Sequence, residues 1–151
     1  MNTRIVTRVI IYKDDKILLS RNEGADYWYP GGGGLEEDEN LMECAAREVK
    51  EETGQDVEIK NLLYTQEFYV NKDERYIEFF FLAEPRTDSK DNHFHKDVDT
   101  DNRVVVVENK WFSEEEAGKV KIYPAFMEEA FWRDIKIHNI DKKNFWIGEK
   151  E

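Results

Sequence analysis

Runs of alternating apolar residues, helical segments with start and stop signals, and no internal repeat predict one α/β (α+β) domain over residues 1–151. Its expected architecture is a mixed sheet packed between helices. "RIVTRVIIY" (4–12) reads as a strand, "KDD" (13–15) as a turn and "KILLSR" (16–21) as the returning strand of a hairpin. The aromatic "ADYWYP" (25–30) leads into four glycines. From Asn40 to Thr53 the spacing is helical, and Gly54 supplies a stop. "VEIKNLLYTQEFYV" (57–70) and "RYIEFFFLAEP" (75–85) are two strands about the turn "NKDE" (71–74). Arg86 to Arg103 reads as an acidic, polar loop, and "VVVVENKWF" (104–112) as a strand. In "SEEEAGKV" (113–120), Ser113 and Glu116 form a capping box, and "PAFMEEAFWRDIKIH" (124–138) is an amphipathic helix with Pro124 at its start.

The composition limits the partners. With 34 acidic against 22 basic residues the formal charge is -12, which disfavours polymeric nucleic acid, because binding it requires a basic footprint. A small phosphorylated ligand remains compatible when a cation bridges the anions. The single cysteine, Cys44, excludes an internal disulfide and points to a reducing, cytoplasmic setting. Neither a signal peptide nor a membrane span is expected, since no apolar run approaches the roughly 18 residues a span needs.

The helix at 40–53 carries an anomaly. With Leu41 at zero and about 100° per residue, Ala45, Val49, Met42 and Ala46 fall at about 40°, 80°, 100° and 140° and form the apolar stripe. Glu43 and Lys50 lie opposite, as expected for a solvent face. Glu48 and Glu52 fall at about 340° and 20°, on the edge of the stripe, with Glu51 near 280°. An ordinary charged helix with an Arg47–Glu51 pair is the simpler reading. Half-burying several carboxylates is costly, however, unless a cation compensates. A hard divalent ion with oxygen ligands does so.

The residues that carry this anomaly resemble the Nudix hydrolase box. Gly33, Glu39, Arg47-Glu48, Val49, Glu51-Glu52 and Gly54 occupy its positions over 23 residues; Gln55 stands where an aliphatic residue is usual, and one glycine exceeds the common lead-in. The resemblance implies a Nudix-type α/β/α sandwich that hydrolyses the diphosphate bond of a nucleoside di- or triphosphate derivative, NDP-X, using Mg²⁺ or Mn²⁺. A nucleoside triphosphate, oxidised or not, leads. Nucleotide sugars and ADP-ribose are alternatives, as is a Nudix-fold sensor that binds without cleaving. The isomerase branch of the fold needs a catalytic cysteine, and Cys44 is misplaced for that. The resemblance implies Glu48, Glu51 and Glu52 as metal ligands, the Gly33 carbonyl as a further ligand, and one glutamate orienting the attacking water. It makes Arg47 the residue that holds the carboxylates, Gly34 a point of close backbone approach to phosphate, and Glu39 a brace at the loop–helix junction beside the substrate. It also allows a homodimer.

Beyond the box, Arg21 is a candidate for phosphate and Glu108 for an additional substrate or catalytic contact. Tyr27, Trp28 and Tyr29 divide between base stacking and core packing, and Glu78 between a pocket and an outward-facing strand position. Asp97, Asp99, Asp101 and Glu108 match the spacing of a calcium loop, but the β-branched "RVVVV" replaces the flanking helix such a loop requires. His93 and His95 lack a third ligand at zinc spacing and read as exposed.

Overall fold

The computed structural model describes residues 1–86, 93–98 and 104–137, with side chains for 1–86 and 108–136. The chain opens with strand β1 (Asn2–Lys13), which turns at Asp14 and Asp15 into β2 (Lys16–Asn22). Both aspartates have positive φ, 51° and 61°, the mirror-image turn that suits the twist of a two-residue hairpin. Strand β3 (Gly32–Gly34) then precedes helix α1 (Leu41–Thr53). β4 (Val57–Asn71) and β5 (Glu74–Pro85) form the second hairpin, and β6 (His93–Val98) and β7 (Val104–Ser113) the third. A one-turn helix α2 (Glu114–Ala117) and helix α3 (Phe126–Ile137) complete the described fold.

The sheet runs β4-β5-β1-β2-β7-β6, with β1 and β5 parallel and the other pairs antiparallel. Side-chain alternation separates two cores. On one face Val9, Ile11, Leu18 and Phe81 pack with Ala45 and Val49 of α1. On the other Ile10, Ile17, Leu19 and Phe80 pack with Ala117 of α2 and Met127, Phe131 and Trp132 of α3. The expected α/β/α sandwich with a mixed central sheet is therefore observed.

Two expectations change, and the glycine run, assigned no element from the sequence, gains one. The glycines form an edge strand: β3 pairs antiparallel with Val6–Arg8 of β1, while β2 pairs only with Ile11–Lys13 of the same strand. β1 thus splits its second edge between two partners, and the glycines wedge into the splay. Within the stretch expected as a loop from Arg86 to Arg103, His93–Val98 is strand β6, paired with β7. Asp97 and Glu108 therefore stand on neighbouring antiparallel strands, while Asp99, Asp101 and the side chains of His93 and His95 lie outside the described residues. Pro124 precedes α3 by two residues instead of opening it, and its carbonyl accepts from the Met127 N–H.

Candidate functional site

Helix α1 is held at both ends by its own sequence. Asn40 caps it with a reciprocal box: its side chain accepts from the Glu43 N–H, and Glu43 reaches back to the Asn40 N–H. Gly54 closes it in the left-handed conformation, φ 72°. The Ser113–Glu116 box at α2 forms as expected.

The buried arc of α1 is rotated from the expected one. Cys44, Ala45, Val49 and Thr53 are buried, whereas Leu41, Met42 and Ala46 are only partly so. Cys44 lies near 300° on the wheel, so Glu48 and Glu52 fall inside the buried arc rather than on its edge. The Glu48 side chain is 13% exposed, against 47% for Glu51.

The glycine strand makes room for these carboxylates. A Cβ on Gly31 would collide with Glu52 Oε2, and one on Gly33 with the Glu48 carboxylate, both closer than real Cβ atoms approach. The Gly32 N–H donates to Glu52 Oε2 at 3.1 Å. Behind the same residue, Ser20 donates to Asn109 Oδ1 (2.6 Å), and Asn109 Nδ2 donates to the Glu52 backbone carbonyl (3.0 Å). Both side chains are buried. The C-terminal turn of α1 is thus fixed to β2 and β7, with the Glu52 side chain aimed at β3.

Arg47 gathers the other acids. Its Nε and NH2 donate to both oxygens of Glu39 at 2.8 and 2.7 Å, its NH1 donates to Glu48 (3.0 Å) and Glu51 (3.2 Å), and NH2 also reaches the Gly34 carbonyl. The two-pronged Arg47 bond lowers the Glu39 pKa from 4.5 to about 2. In return Glu39 raises the Arg47 pKa, so the guanidinium stays charged. The pair joins the loop before α1 to the helix. Cys44 sits beneath it near the Gly33 and Gly34 carbonyls, and burial pushes its thiol up to about 11, which makes it a poor nucleophile.

The donor set suits a hard divalent cation. It consists of carboxylate and carbonyl oxygens, and the cradle beside Glu48 and Glu52 stays open because Gly31 and Gly33 have no side chain. Among the described residues no three acidic, histidine or cysteine groups already converge on one point. Arg47 holds Glu48 and Glu51 instead, so filling the cradle requires those two carboxylates to turn from Arg47.

Glu52 also lines a cavity of about 930 Å³ over the other face of the sheet. Arg8 of β1, Glu78 of β5 and Gln66 of β4, on adjacent strands, contribute to it, with Tyr27, Tyr29 and Tyr123 from the flanking loops. Tyr27 stacks edge-on against Tyr123 at 5.1 Å, whereas Trp28 is buried against Phe112. The aromatic trio thus divides, two residues lining the cavity and one in the core. Burial, reinforced by nearby Glu52, raises the Tyr29 pKa, so its hydroxyl remains a donor, here to Asn22. Glu78 faces the cavity and is 5% exposed.

Arg21 and Glu108 are brought together, but neither is among the cavity-lining residues. They are cross-strand neighbours and form an ion pair, with the guanidinium 5.2 Å from the Trp28 ring. Arg8, Gln66 and Asn109 carried no local signal in the sequence. Arg8 and Glu78 meet only because β1 and β5 run parallel, 70 residues apart.

A mixed sheet between two helical layers, with an R-E-x-x-E-E helix laid over a glycine strand, defines the Nudix architecture. The NUDIX domain family model matches residues 2–131, and the chain belongs to that family. Over 83 residues, 53% of this chain, it is 36% identical to the 8-oxo-dGDP phosphatase NUDT18 of Danio rerio, and it spans about a quarter (24%) of that protein's length. Among solved structures, a UDP-X diphosphatase superposes with a TM-score of 0.68 at 19% identity, covering 92% of this chain and 65% of that one. An ADP-ribose pyrophosphatase from Streptococcus suis does so with a TM-score of 0.65 at 23% identity, covering 89% and 92%. At those identities the two structures establish shared fold alone.

Proposed function

We propose that this protein is a metal-dependent pyrophosphohydrolase that cleaves a nucleoside di- or triphosphate derivative between its phosphates. The observation that carries this reading is the placement of Glu48 and Glu52 inside the buried arc of α1, above a strand with no side chains. Carboxylates gathered there repel one another and lose hydration, a cost that a divalent cation bound between them offsets.

Glu48, Glu51 and Glu52, with the Gly33 carbonyl, would hold Mg²⁺ or Mn²⁺, which when bound neutralises charge on the diphosphate oxygens. The chain's own contribution is positioning. Asn109 and the Gly32 N–H fix Glu52, Arg47 with Glu39 ties the loop to the helix beside Glu48 and Glu51, and β3 lets the diphosphate approach the backbone. A glutamate of this cluster accepts the proton of the attacking water. The adjoining 930 Å³ cavity is large enough for a nucleoside, and its tyrosines supply stacking surface.

The substrate reading is a nucleoside triphosphate or an oxidised relative of one. The fish relative, named for an oxidised nucleoside diphosphate, supports the oxidised nucleotide, and the cavity has room for its nucleoside; nucleotide sugars and ADP-ribose are the alternatives that the two structural neighbours suggest. The test is a panel of these compounds with Mg²⁺ or Mn²⁺, products being assigned by phosphorus NMR. Release of nucleoside monophosphate is expected. A folded protein that binds nucleotides and cleaves none would be a sensor, and would overturn the proposal.

A further inference from the structure

The cavity beside Glu52 has a polar floor whose hydrogen-bonding pattern is already set. Glu78 spends one carboxylate oxygen on Arg8, whose Nε donates at 3.1 Å, and the other on Gln66, whose Nε2 donates at 2.7 Å. Because both Glu78 oxygens are acceptors, the Gln66 amide nitrogen must face them. What the two side chains keep for a ligand is therefore the terminal NH₂ groups of Arg8, both donors, and the carbonyl of Gln66, an acceptor. Glu78 is buried and its partners sit on the two flanking strands, so this donor–donor–acceptor order is held by the sheet.

Purine edges differ in the order they offer. Guanine and hypoxanthine present N7 and O6, two acceptors, followed by the N1–H donor. Adenine presents the N7 acceptor, the N6 amino donor and the N1 acceptor. A donor–donor–acceptor floor matches the first order at all three places and the second at one. The usual glutamine reading of adenine needs both ends of the amide, and the Gln66 nitrogen is occupied by Glu78. Arg8 keeps the end-on fork that suits O6 and N7 of guanine. Tyr27, Tyr123 and Phe68 line the same cavity.

We propose that Arg8 and Gln66, positioned by Glu78, read a 6-oxopurine base, so that the enzyme prefers guanine- or hypoxanthine-type nucleotides to adenine nucleotides. This rests on the proposed nucleotide substrate and narrows it to the unoxidised base, because 8-oxoguanine carries a hydrogen on N7 and would set a donor against Arg8.

The test separates base recognition from chemistry. Binding of GMP, IMP and AMP to the full chain is measured by calorimetry without metal. GMP and IMP should bind alike, and at least about tenfold more tightly than AMP. Arg8→Lys, which keeps the charge but loses the fork, should bring that ratio close to one, and Glu78→Gln should lower it too; circular dichroism establishes that each variant is folded. The wild-type ratio decides the matter even if a variant fails to fold. AMP binding as tightly as GMP, no binding of any of the three, or an unchanged ratio in folded Arg8→Lys would overturn the proposal. Retained GMP preference without hydrolysis of any substrate would instead count against the proposed chemistry alone.

Discussion

Adding one methyl group at Gly31 isolates the geometry of the carboxylate cluster. Gly31 does not require a left-handed backbone, so alanine is conformationally tolerated there, and the collision falls on Glu52 Oε2, the far end of a flexible side chain. Restoring ordinary contact requires the Glu52 carboxylate to retreat by roughly 1 Å, and a misplacement of that size in a reacting constellation costs about 10²-fold in rate. The backbone bonds of the neighbourhood, Gly31 C=O to the Val9 N–H among them, are untouched. Gly31→Ala should therefore lower kcat/KM for diphosphate cleavage about a hundredfold, with the melting temperature nearly unchanged. Steady-state kinetics and a thermal melt read both quantities. A variant within about threefold of wild type would show that Glu52 tolerates displacement, refuting the account of why glycine stands at the entry to β3. Glycine at Gly33 answers Glu48 in the same way.

Further outcomes follow from the brace and the outlying pair. Arg47→Lys cannot span both oxygens of Glu39 and should destabilise the fold by about 2 kcal/mol, a fall of about 4–8 °C in Tm by calorimetry. Folding depresses the Glu39 pKa, so the stability gained from Glu39 is fully present above its unfolded value of 4.5 and is lost as pH falls toward about 2. Melts should accordingly find Glu39→Gln less stable than wild type at pH 6, with the gap closing below about pH 4. Glu108→Gln, which disturbs an ion pair with Arg21 away from the cavity, should change kcat/KM by less than about fivefold; a larger loss would return Glu108 to the reacting centre.

How much of this was legible varied with the range of the interactions. The first hairpin and α1 were readable because alternation, capping residues and Gly54 are local signals, and Glu48 and Glu52 stood out on the wheel. The glycine strand was not readable, since glycine has no strand preference and β3 exists only through backbone pairing with β1. Cys44 was missed as a buried residue, and that omission placed the carboxylates at the stripe's edge when they lie within it. β6, "HFHKDV", has too polar a pattern to announce a strand and is defined by its pairing with β7. Arg8, Gln66 and Glu78 come together from three strands, a juxtaposition that only topology creates.

The central claim is that α1 assembles a divalent-metal site that cleaves a diphosphate. Its most direct test is the hydrolysis rate as a function of Mg²⁺ concentration for wild type and Glu52→Gln side by side. The account predicts saturable metal dependence in wild type and a loss of about 10²–10³-fold in a folded Glu52→Gln. Turnover that persists without metal, or a Glu52→Gln enzyme as fast as wild type, would contradict it.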